Sequence, residues 1–197
     1  MRLRLLYARS RGTPRAGLAL VGLCVAGAWA GRWLVARPAL EPDTARLPVT
    51  VALALAVAVV VSGTLHSAAD DLERTTPRNW AAWRAGHAAA AALVAVVAVL
   101  PVLPAAVHGQ QALLRNTIGL LGLALLTAAA LGPRLCWTVP LGYTATVYLA
   151  GSPDPGAGRP VWAFLLQPAP SALALLTALS LLVAGSAAWA AHARHRR

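Results

Sequence analysis

Long apolar stretches recur in series between residues 16 and 191, and this repetition limits what the chain can become more than any other feature. Crossing the hydrocarbon core of a bilayer takes roughly 20 apolar residues of α-helix. The 197-residue chain is 58% hydrophobic and only 12% charged, whereas about a quarter of the residues of a soluble domain are charged. The sequence therefore reads as an all-α integral membrane protein, a polytopic transmembrane bundle of about six helices.

The pattern divides into a basic tail over 1–15, one transmembrane domain over 16–191 and a second basic tail over 192–197. The spans are expected at 16–36, 47–66, 86–107, 117–131, 135–150 and 171–191. Pro101 and Pro104 break the far end of the third span, and "HGQQALLRN" reads as a short connection before the fourth. The fifth, at 1.5 Å per residue, is only about 24 Å long. Residues 161–168, within "VWAFLLQPAP", are apolar but too short to cross, which predicts a re-entrant or interfacial piece. Gly27 and Gly31 form a G-x-x-x-G pair that lets another helix approach closely. The first tail suits either a short amphipathic segment on the membrane surface or a solvated tail.

The formal charge of +11 comes with seventeen basic residues, all arginine. They gather at the ends of the apolar stretches rather than along one soluble face, so they argue for the positive-inside rule and against a nucleic-acid partner. With six spans both chain ends share a side. That side carries twelve of the arginines and the opposite side five. The excess predicts cytoplasmic N- and C-termini in a multi-pass protein of the bacterial plasma membrane, in contact with membrane lipid. Cys24 and Cys136 fall inside predicted spans without metal-ligand spacing, and read as buried thiols.

One stretch departs from its surroundings. "DDLERTTPRNWAAWRAGH", residues 70–87, holds three of the six acids, with three arginines and two tryptophans. One reading makes Asp70, Asp71 and Glu73, with His66 a turn earlier, ligands of a divalent ion in a membrane enzyme. The spacing matches no ligand motif. A plainer reading pairs Asp70 with Arg74 on a solvated helical turn, worth a few tenths of a kcal/mol. Thr76 and Pro77 then suit a helix start. Trp80 and Trp83, and Trp189 at the other end of the chain, would anchor helices at the headgroup level.

Ionisable groups at depth in a membrane are the usual mark of an ion-coupled pump. No Asp, Glu or Arg falls near the middle of a predicted span, and His66, His87, His108 and Arg115 sit near ends, where long side chains reach water. No serine-histidine pair supports a protease. The sequence contains no G-x-x-x-x-G-K-[ST], so it offers no phosphate-binding loop of its own. A bundle without its own energy source points to a partner.

In this setting "DLERTTPRNWAAWR" resembles the cytoplasmic coupling segment that follows the second helix in permease subunits of type-two ABC exporters. Glu73, Arg74 and Thr75 fall on its E-R-x-T element, and Pro77, Arg78 and Arg84 on the part that follows. The overall plan is similar to that of small six-helix permease-like proteins of actinobacteria. The resemblance implies a non-enzymatic subunit that docks an ABC ATP-binding subunit through residues 70–85, including Asp70 and Asp71, with ATP and Mg held by that partner. It also implies a homo- or heterodimer of permease subunits. The chain departs from the family in length and in lacking a leucine-rich stretch between Thr75 and Pro77. The alternative is a non-catalytic membrane scaffold or immunity-type protein that binds other helices through small-residue faces.

Overall fold

The structure, a computed structural model, describes residues 7–35, 42–66, 80–102, 109–150, 162–168 and 170–195. Among these are six helices of thirteen residues or more: α1 (Thr13–Val35), α2 (Pro42–Gly63), α3 (Trp80–Val99), α4 (Gly109–Leu131), α5 (Thr138–Ala150) and α6 (Ala172–His195). Two short 3-10 turns, Pro133–Leu135 and Phe164–Leu166, flank α5 in sequence, and no strand occurs among the described residues.

Consecutive helices run in opposite directions. The turn after α2 meets the first turns of α3 through Thr64 and His87. Ser62 near the end of α2 meets Cys136 just before α5, and Arg84 at the start of α3 lies over Trp189 near the end of α6. One end of the bundle thus collects the chain's N-terminal turn, the ends of α2, α4 and α6, and the starts of α1, α3 and α5. It carries Arg9, Arg11, Arg15, Arg84 and Arg134, and is called the basic end below.

Helix α4 is the centre. Its apolar window is 72% buried, against 17–22% for the windows of α1, α3 and α6. Leu113, Leu120 and Leu121 of α4 share a core with Val51, Ala54 and Val57 of α2, Val99 of α3, Val147 of α5 and Ala178 of α6. The closest approach is between α4 and α6: a Cβ on Gly122 would fall inside the backbone of Leu181 and Leu182, and one on Gly185 would strike the carbonyl of Gly122. Gly27 lies between α1 and α2, where a Cβ would come within 2.5 Å of Leu53 Cδ2, a side-chain tip rather than backbone. Gly31 is buried on the same helix. Packing this tight leaves an apolar cavity of about 10 Å³ between Val61, Ser62, Leu65, Ala88, Ala91, Ala92, Leu121 and Leu125, at the lower limit for a single water.

The outside is apolar and part of the inside is polar. Leu18, Val21, Val25 and Trp29 of α1, Leu93 and Val97 of α3, and Leu176 and Val183 of α6 are exposed, while Thr117, Thr127 and Thr144 are buried. Each buried hydroxyl donates to the carbonyl one turn back in its own helix, at 2.7–2.8 Å, which satisfies it without a neighbour. Four helices are long and apolar enough to cross a membrane: α1 over Thr13–Trp33, α3 over Ala82–Val99, α4 and α6. With exposed apolar faces of this extent, the chain is a multi-pass membrane protein.

Several boundaries differ from those read in the sequence. Helix α2 begins at Pro42 rather than 47, since proline is well placed in a first helical turn. Helix α3 begins earlier, at Trp80, and ends at Val99, before Pro101 rather than after Pro104. The largest correction concerns α4. "GQQALLRN" is not a connection but its first two turns, so Arg115 and Asn116 belong to a helix and face inward. Gln110 in that first turn donates to Leu100 O at 2.7 Å, capping the end of α3. Helix α5 starts at Thr138, later than 135, after the Pro133–Leu135 turn.

Candidate functional site

Two places bring polar side chains of distant sequence together. The first is the basic end. Residues 7–10 form a helical turn, and Gly12, at φ 65°, reverses the chain into α1, a backbone conformation that glycine adopts without the cost of a Cβ. This turn is docked on the bundle. The Tyr7 ring meets Trp83 edge-on at 5.3 Å and His87 at 5.8 Å. Arg11, 4% exposed, lays its guanidinium over the Tyr7 ring at 4.6 Å and donates through Nη1 to Leu65 O at 2.7 Å. That bond satisfies a carbonyl that the end of α2 leaves open.

The same junction ties α2 to α3. His87 Nε2 lies 3.0 Å from Thr64 Oγ1 and 3.1 Å from Thr64 O. The Thr64 hydroxyl proton is directed to Val61 O at 2.7 Å, so Nε2 carries the hydrogen and donates to Thr64. Both flanks of segment 67–79 are therefore held, His66 side by Leu65 and Thr64, Trp80 side by Trp83 and His87. Behind them Trp189 is buried with Leu65, Ala88, Leu125, Ala128 and Cys136, and Arg84 stands 5.9 Å over its ring. Trp189 is 2% exposed, so its ring is part of this core rather than presented outward as an interfacial anchor.

Of the residues expected to dock a partner, Asp70, Asp71, Glu73, Arg74, Thr75, Pro77 and Arg78 lie outside the described residues. Arg84 and Trp83 are in the first turns of α3, and Trp80 opens it. The candidate metal reading has only His66 among the described residues, in the turn after α2.

The second place is at the opposite end of the bundle, and sequence reasoning missed it. Arg115 is 2% exposed. Its Nη1 donates to Pro168 O at 2.8 Å, its Nη2 to Gln167 O at 2.9 Å and its Nε to Asn116 Oδ1 at 3.2 Å. Asn116 Nδ2 donates in turn to Leu165 O at 3.1 Å, and the Tyr143 hydroxyl of α5 donates to Trp162 O. These three side chains supply the hydrogen bonds that a non-helical backbone cannot make for itself. The apolar side of the segment sits equally deep: Phe164, Leu165 and Leu166 are buried. Phe164 stacks on Tyr143 at 5.4 Å and fills the space above Gly119, where a Cβ would come within 2.6 Å of its ring.

Irregular backbone within a membrane is tolerated where it is buried in protein; residues 163–166 are buried, while Trp162 and Pro168 at the two ends of the segment are exposed. The stretch expected as a re-entrant or interfacial piece contains a short 3-10 turn, Phe164–Leu166, packed against α4 and α5. A signal for Arg115 existed in the sequence. "LLQPAP", with two prolines, cannot form a regular helix, so some of its carbonyls require donors elsewhere, and Arg115 with Asn116 is one of the adjacent donor pairs the chain offers, beside Arg78 with Asn79 and Gln110 with Gln111.

Comparison of the chain with protein-family models, with curated proteins and with solved structures gave no match.

Proposed function

We propose that this chain is a permease-type membrane subunit of an ATP-driven (ABC) exporter, coupled to a separate ATP-binding subunit through residues 70–85. The observation that carries the reading is the clamped junction at the basic end. A loop that transmits force from a soluble motor has to leave the membrane between helices that move as one piece. Here the two helices it joins are bonded to each other through His87 and Thr64, and the N-terminal turn braces both through Tyr7 and Arg11. A push on the segment would then be delivered to α2 and α3 together rather than absorbed by the loop.

On this reading all six helices cross the plasma membrane, both chain ends are cytoplasmic, and the arginines of the basic end lie on that side. The interior of the single bundle is closed by helix contacts at Gly27, Gly122 and Gly185. The translocation path therefore forms between two permease subunits, and ATP with Mg is bound by the partner. The test is co-purification with an ATP-binding subunit expressed alongside. Reversing Glu73 and Arg74 together, as Glu73→Arg with Arg74→Glu, should cut the recovered partner several-fold. Undiminished recovery would remove the coupling role.

A further inference from the structure

The helices bond their own carbonyls, but residues 162–168 give four of theirs, those of Trp162, Leu165, Gln167 and Pro168, to side chains on α4 and α5. Three side chains, Arg115, Asn116 and Tyr143, thus make these bonds to the segment, whose Pro168 carbonyl also accepts from Ser171 N, and rotating them away opens these four bonds without breaking a helix. Its own backbone bonds, Leu166 N to Ala163 O and Gln167 N to Phe164 O, are local and would travel with it. The seat is equally separable. Phe164 lies in a slot made by the missing side chain of Gly119 and walled by Ala178 and Tyr143.

The charge on Arg115 favours release as well as closure. Its hydrogen-bond partners are all neutral oxygens, so in the seated state a buried cation has given up water for carbonyls and no opposing charge. Arg115 is the seventh residue of α4, about 9 Å along the axis from its start at 1.5 Å per residue, a distance over which an arginine extends toward water. Lifting the segment thus costs four side-chain hydrogen bonds and the burial of Ala163, Phe164, Leu165 and Leu166, and returns hydration to the guanidinium.

We propose that residues 162–168 are a strap that alternates between its seat among α4, α5 and α6 and a lifted position, with Arg115 as the latch. The proposal stands apart from the transport reading and holds for any function of this protein.

The reporter is Ala163→Cys, a small change at a position 0% exposed, in full-length protein carrying Cys24→Ser and Cys136→Ser. Labelling by a polar maleimide is followed in detergent micelles. With Arg115 intact the thiol should react slowly but measurably, far below a thiol at the exposed position of Gln111. Arg115→Gln should speed labelling tenfold or more, and Arg115→Lys should fall between, since one ammonium cannot serve both carbonyls and Asn116 in the plane of a guanidinium. Labelling as fast as at position 111 would mean that the strap is not seated, and no labelling at all would mean that it does not lift; each overturns the proposal. An unchanged rate in Arg115→Gln overturns the latch. Ala128→Cys, buried at the opposite end of α4, reports whether Arg115→Gln loosens the bundle as a whole. If it does, Tyr143→Phe, which removes one strap hydrogen bond and keeps the ring, decides: faster labelling supports the strap and an unchanged rate overturns it.

Discussion

Gly122 and Gly142 are both glycines inside helices, and their surroundings give them opposite meanings. A methyl group at Gly142 of α5 meets nothing within 4 Å, whereas at Gly122 of α4 it meets the backbone of Leu181 and Leu182. Replacing an exposed helical glycine by alanine stabilises by about 0.5–1 kcal/mol, because the unfolded chain loses freedom. Overpacking a tight contact costs about 1–3 kcal/mol, and backbone, unlike a side-chain tip, cannot swing aside. Gly122→Ala should therefore lower the thermal unfolding midpoint in detergent by a few degrees, while Gly142→Ala leaves it level or raises it slightly. Equal midpoints for the two variants would show that α4 and α6 are not in backbone contact. The spacing of Gly27 and Gly31 is a local pattern that a sequence displays. Gly122 and Gly185 lie sixty-three positions apart, and only the crossing of two helices gives them a shared purpose.

Among the elements, the N-terminal turn is the one whose position sequence alone left open between the membrane surface and solvent. The structure docks it, through a tyrosine whose two edge-to-face neighbours, Trp83 and His87, come from α3. Such ring pairs contribute about 0.5–1.5 kcal/mol each. Arg9 and Arg15 are exposed and Arg11 is buried, so limited trypsin digestion should cleave after Arg9 or Arg15 well before Arg11. Tyr7→Ala should raise cleavage after Arg11 about tenfold, in line with the loss of roughly 1.4 kcal/mol of docking. Cleavage that does not respond would place the turn off the bundle. The existence of the helices was legible because hydropathy is a property of consecutive residues. Their ends were less so. The start of α4 reads as a loop, with two glutamines, an arginine and an asparagine in eight residues, and is helical because those side chains cap α3 and receive the strap. Trp189 reads as an anchor by its nearness to the basic tail, yet the end of α6 turns it into the core under Arg84.

At the level of the whole molecule, the alternation of helix direction makes a statement about sidedness that can be checked without knowing what the protein carries. Residue 9 precedes α1 and residue 111 lies in the first turn of α4, with α1, α2 and α3 between them. Three crossings would place these positions on opposite faces of a membrane, and a fourth, by α4, would return Arg134 to the face of residue 9. The weak member is α2, whose strongly apolar part, Pro48–Gly63, is shorter than those of α1, α3, α4 and α6 and at 1.5 Å per residue covers about 24 Å of a hydrocarbon core of roughly 30 Å. Its burial answers this shortfall: Val51, Ala54, Val57 and Ala58 are fully enclosed by protein, so this helix is matched to its neighbours more than to lipid, and residues 42–47 extend it toward the far face. Single cysteines replacing Arg9, Gln111 and Arg134, in a chain without Cys24 and Cys136, should label from one side, the other side and the first side again, with an impermeant maleimide applied to intact cells. Label at positions 9 and 111 from one side and at 134 from the other would mean that α2 is buried in the bundle without crossing. The arginine excess at the basic end would then no longer define a single cytoplasmic face, and with it would go the placement of residues 70–85 where a soluble motor reaches them.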